Sequence, residues 1–195
     1  MKIVYNHYAA DEIIPVQEYI RNRKLIKYCS RETAAALVAA ACLLKDITFS
    51  PLMPFYYETG IMESEDLGLE LIADNSSDSP GKFSPQNFVE KGIKAVPPLT
   101  QFKALYNIPL SIVAIEHGLK GDNAVIYASA SGLLIQALHA PADNEILLGC
   151  GKILADKSVV SGFALVKKEE IKNSPFLKSP LEAFELFKEW QRGNH

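Results

Sequence analysis

The residues of this chain best placed to do chemistry stand at one bend, Tyr127-Ala128-Ser129-Ala130-Ser131-Gly132. A β-prone run precedes the bend and an uncharged helical run follows it, so it reads as a strand-to-helix turn. Such a turn presents its side chain at the carboxyl end of a sheet, where the free N–H groups of the next helix favour negative charge. Ser129 could therefore be a nucleophile, or a small residue that caps the helix by accepting a backbone N–H, and capping is the favoured reading. Serine needs an adjacent base to attack, and the sequence assigns none. His117 and His139 fall near expected helix ends, where an imidazole meets exposed carbonyls, and His7 and His195 lie near the termini. Cys29, Cys42 and Cys150 lie far apart with no CxxC pair, which suggests neither a zinc knuckle nor a disulfide framework and fits a reducing, cytoplasmic compartment. Cys150, between Gly149 and Gly151, reads as a packed small residue rather than a relocated nucleophile.

The elements that must hold this bend alternate between strand and helix. Residues 2–7 form a first strand. Ser30 caps a helix running to Lys45, Glu32 suits the positive end of its dipole, and Ala34, Leu37, Val38, Ala41 and Leu44 recur at helical spacing. Pro51 and Pro54 mark a turn before a strand over 55–61. The polar, turn-rich residues 73–87 predict a surface loop, extending over about 73–92. Asn107 and Pro109 open a helix to His117, with Gly118 as its left-handed stop. A strand over 124–128 and a helix over 131–140 flank the bend. A strand over 144–148, ended by Gly149 and Gly151, and a strand over 161–166 follow. A helix over about 180–191 carries Leu181, Phe184, Leu186, Phe187 and Trp190, whose aromatics read as core. The fold class is α/β, a mixed sheet covered by helices, within a single domain over 1–195.

A length of 195 residues suits one domain, and 48% hydrophobic with 22% charged residues supports a buried core and excludes general disorder. The net charge of −3, from 20 basic and 23 acidic residues, has no sign-biased half, which argues against nucleic acid or an anionic membrane surface as partner. Residues 123–142 carry no formal charge over a length that could span a bilayer. Asn123, Ser129, Ser131, Gly132, Gln136 and His139 interrupt that stretch, and its change from β-like to helical character fits a buried strand and helix instead. The N-terminus lacks a long apolar run and a small-residue cleavage site, so no secretory signal is expected. No metal or cofactor is indicated.

The order and spacing of several motifs resemble the N-terminal half of a β-ketoacyl synthase, the condensing enzyme of fatty acid and polyketide synthesis. They are Phe83-Ser84-Pro85 with Phe88, Asn107-Ile108-Pro109-Leu110-Ser111, Ala114-Ile115, Gly118-Leu119-Lys120-Gly121, the turn at 128–132, and Gly149-Cys150-Gly151. Within that family the chain is most similar to the short chain-length-factor-like proteins, or N-terminal-like domains, that accompany a full ketosynthase in aryl polyene and related pigment clusters. The resemblance implies half of a thiolase-like fold and a heterodimer with a full-length ketosynthase, or a homodimer, with an acyl carrier protein as a possible further partner. It also implies that the strand made of Ala124, Val125, Ile126, Tyr127 and Ala128 lies at the subunit boundary.

Two departures from the family bear on function. The family's nucleophilic cysteine falls at Ser129, and the half that supplies its two active-site histidines has no counterpart in these residues. A lowered pKa makes a cysteine thiolate available at neutral pH, an advantage serine lacks. The expected function is therefore a non-catalytic subunit that binds a ketosynthase and helps shape its acyl tunnel. A serine-dependent acyltransferase, hydrolase or decarboxylase and a scaffold homodimer without an acyl ligand are the alternatives. The helix at 131–140 has no charge on any face and needs cover all round, from residues 152–195 or from another chain.

Overall fold

The computed structural model describes residues 1–60, 68–103, 105–141 and 145–193. They belong to two compact units, one made of residues 1–61 and 106–195 and the other of residues 62–105. The larger unit begins with strand β1 (Lys2–Tyr8), a short helix α1 (Val16–Tyr19), a 3-10 turn at Arg23–Tyr28, helix α2 (Arg31–Leu44) and strand β2 (Phe55–Thr59). Ser30 caps α2, its Oγ accepting from Thr33 N at 3.1 Å. Alanines let α2 lie close to the sheet: Ala35, Ala36, Ala39 and Ala40 are all fully buried. Ile61, the last residue of the expected second strand, lies outside the described residues, as do Asn144 and His195.

The smaller unit holds α3 (Leu69–Asn75), a hairpin of β3 (Ser77–Ser79) and β4 (Lys82–Phe83), α4 (Pro85–Asn87), a π-helical turn at Phe88–Gly92, α5 (Ile93–Ala95) and α6 (Pro98–Lys103). The 73–92 stretch, expected as one surface loop, thus carries a helix end, a hairpin and a helical turn. Its polar side chains satisfy backbone groups instead of only facing water. Asn87 Nδ2 donates to Ser77 O at 3.2 Å and to Asp78 Oδ1 at 2.7 Å, and Ser84 Oγ accepts from Asn87 N at 3.3 Å.

The larger unit resumes with α7 (Ile108–His117), β5 (Asn123–Tyr127), α8 (Ala130–Leu138), β6 (Ile146–Ile153), β7 (Val159–Val166), α9 (Lys168–Ile171), a 3-10 turn at Pro175–Lys178 and α10 (Ala183–Gln191). Its mixed sheet has the order β1-β7-β6-β2-β5. Central β2 runs parallel to β5 and β6, and β7 is antiparallel to both β6 and β1. Strand alternation sorts side chains into two cores. Phe55, Tyr57, Leu147, Phe163 and Leu165 pack with α2 and α7, whereas Tyr56, Leu148, Cys150, Ala164 and Val166 pack with α8 and α10.

Strand β6 does not end at its glycines, as the sequence suggests, but runs through both. A Cβ on Gly149 would stand 2.7 Å from the Phe163 ring, and one on Gly151 would stand 2.2 Å from the Tyr57 hydroxyl. The glycines are thus the space that the aromatic side chains of neighbouring strands occupy. The uncharged stretch beginning at Asn123 divides into β5 and α8, and among the described residues no helix is long and apolar enough to cross a membrane.

Candidate functional site at the carboxyl end of the sheet

The parallel strands β2, β5 and β6 end together, and the bend at Ser129 stands at this end. Ala128 leaves the strand at φ 44°, an unusual value for a residue with a Cβ, and its N–H still donates to Thr59 O at 3.2 Å. Ser129 returns to extended backbone and caps α8: its Oγ accepts from Gly132 N at 3.0 Å and lies 3.2 Å from Ser131 Oγ. Ala130 N donates to Leu181 O at 2.9 Å, tying the bend to the segment before α10. The serine hydroxyl is engaged as a cap, the role its position favours in the sequence.

No histidine is hydrogen-bonded to this hydroxyl among the described residues. His117 ends α7, where burial lowers its pKa against the opposing pull of Glu116. His139 is the C-cap of α8, and His7 lies on β1, at the sheet edge opposite β5. Cys150 is fully buried on β6, and burial, followed by Glu58, pushes its thiol well above the usual range, so it is a packed residue rather than a nucleophile. No disulfide joins any of Cys29, Cys42 and Cys150. Among the described residues no three His, Cys, Asp or Glu side chains are grouped to hold a metal ion.

Beneath the bend lies a set of ionisable groups of which sequence reading singled out Glu32 alone. Glu32, whose charge suits the positive end of the α2 dipole, is buried against the sheet. Its Oε1 accepts from the Tyr57 hydroxyl at 3.0 Å and from Thr59 Oγ1 at 3.1 Å. Burial raises its pKa to about 7 even though both hydrogen bonds favour the ionised form. On the opposite face Glu58 is fully buried and neither carboxyl oxygen has a hydrogen-bond partner. Burial pushes it up to about 8, helped by Glu182 and Glu32 and opposed by Lys152. Lys152 Nζ meets both oxygens of Glu182, at 2.6 and 2.7 Å. The available signal for Glu58 was a glutamate inside the otherwise β-prone run 55–59.

The strand read as a subunit boundary is an edge strand, with β2 on one side and no strand on the other among the described residues. Ala128 N reaches Thr59 O, and Asp122 O accepts from Phe55 N, so even-numbered residues here point their backbone groups toward β2. The N–H groups of Val125 and Tyr127 therefore point outward. Tyr127 is 51% exposed and meets the Tyr106 ring edge-on at 5.5 Å. Residues from α9 onward do fold back over α8, burying Ala130, Leu133, Leu134 and Ala137, but Ile135 on its other side stays 46% exposed. No protein-family model and no curated protein matches this chain.

Proposed function

We propose that this chain is a non-catalytic, chain-length-factor-like subunit that pairs with a full-length β-ketoacyl synthase through β5 and helps shape its acyl tunnel, with an acyl carrier protein as substrate donor to the pair. The observation that carries the reading is the combination at one strand: β5 offers an outward row of backbone groups and leads into a bend whose serine is spent as a helix cap. A strand edge of this kind favours addition of another strand. Exposed Ile135, on a helix that carries no charge, adds apolar surface for a partner to cover. The test is coexpression with a full-length ketosynthase encoded beside this chain. A heterodimer whose acyl products differ in length from those of the ketosynthase alone is the expected result. Failure to copurify overturns the pairing, and acyl transfer or hydrolysis by the isolated chain, abolished in Ser129→Ala, overturns the non-catalytic role.

A further inference from the structure

The buried carboxyl of Glu58 has a neighbourhood that links it to the Ser129 bend. Glu58 is on the α8 face of β2, opposite Cys150 of β6, and Lys152 follows two residues later on the same face. The stem of Lys152 crosses Gly60, where a Cβ would come within 2.5 Å of its Cγ, and its ammonium is held by Glu182. The residue before Glu182, Leu181, accepts from Ala130 N, next to Ser129. A row of contacts thus runs from the middle of the sheet to the segment that covers the bend.

The charged and titratable groups around Glu58 come from each element packed on it. Strand β6 brings Cys150 and Lys152, the start of α10 brings Glu182, α2 brings Glu32 through the sheet, and β2 itself brings Tyr57. Tyr127 of β5 feels the same Glu182 and Lys152, and α8 contributes no charge. Lys152 is the one cation in this set. A buried carboxylate without a partner is strongly disfavoured, so in the arrangement observed Glu58 keeps its proton.

We propose that Glu58 and Glu182 compete for Lys152, so that ionisation of Glu58 draws Lys152 off Glu182 and loosens residues 179–182 and the start of α10 from the Ser129 bend. The exchange balances: one proton leaves Glu58 for solvent, one ion pair breaks and another forms. It operates around the midpoint of about 8 to which burial raises Glu58. This device goes beyond the subunit reading and does not depend on it.

The single tryptophan reports on it directly, since Trp190 lies on α10, is 2% exposed and stacks edge-on with Phe187. Acrylamide quenching of Trp190 in the full chain, followed from pH 6 to 10, is expected to rise severalfold with a midpoint near the Glu58 value. Glu58→Gln should stay at the low level throughout. Glu182→Gln, which removes the pair that Lys152 would leave, should show the high level of quenching at every pH. A flat wild-type profile, or a transition that persists in Glu58→Gln, overturns the proposal. If circular dichroism shows that Glu58→Gln does not fold, the Glu182→Gln profile decides, and quenching that stays low or still rises with pH overturns it.

Discussion

Gly132 N–H donates to Ser129 Oγ at 3.0 Å, and a Cβ at Gly132 would stand 3.0 Å from Ile126 Cγ2 and 3.1 Å from that same oxygen, so the bend is closely packed. The pair fixes the first turn of α8. Replacing Ser129 by alanine should cost about 0.5–2 kcal/mol in urea unfolding, whereas aspartate or asparagine, which also cap well, should recover most of the loss. Wild-type stability in Ser129→Ala would contradict the cap.

The Phe163 and Tyr57 rings occupy the space over Gly149, with closest atoms 2.7 and 2.9 Å from where a Cβ would be. Gly149→Ala should destabilise the fold by about 1–3 kcal/mol or more, because three strands must shift to admit one methyl group. Gly81, whose added Cβ would meet nothing, is a control for crowding only in part, because its φ of 76° strains any side chain. Equal unfolding midpoints for Gly149→Ala and wild type would contradict the packing of β6.

Two carboxyls with raised pKa values make stability pH-dependent. Glu32 and Glu58 titrate at about 7 and about 8 in the folded chain, above their values when unfolded. Their contribution is full at pH below the unfolded carboxylate range, declines as pH rises while only the unfolded chain ionises, and levels off above the folded values. The chain should therefore lose stability between roughly pH 4.5 and 8, by up to about 1.4 kcal/mol per pH unit for each group. Thermal unfolding of Glu32→Gln, which keeps an oxygen for Tyr57 and Thr59, should show a shallower slope up to pH 7. An unchanged slope would mean that Glu32 is ionised in the folded state.

The outward direction of the Val125 and Tyr127 N–H groups makes the edge testable without breaking the sheet. Proline at either position removes a donor from the free side and leaves the β2 ladder intact, whereas Ile126→Pro removes a donor to β2 and should unfold the chain. Both outward variants should remain folded by circular dichroism and lose affinity for a ketosynthase partner at least tenfold. Wild-type affinity in both would place the docking surface elsewhere.

Much of the larger unit is legible in the sequence because its signals are local. Ser30 and Ser129 cap as their types predict, and Gly118 takes the left-handed stop at φ 68°. What escapes is decided by distant neighbours. Gly149 and Gly151 look like strand breakers until the rings that fill their space are placed, and Glu32 reads only as a match to the helix dipole until Tyr57 and Thr59 converge on it. Glu58 carries no local sign of burial beyond its β-prone flanks, since its environment is assembled from β6 and α10.

Strand β1 finds its place beside β7, with Lys2 opposite Leu165 and Tyr8 opposite Val159. Pairing across so much intervening chain is slow to form, because a long loop must close before any contact rewards it. During synthesis on the ribosome β1 emerges well ahead of β7 and has no place in the sheet until β7 follows it. For that interval it is an unpaired β-prone ribbon, and an element made early is among the last to be secured.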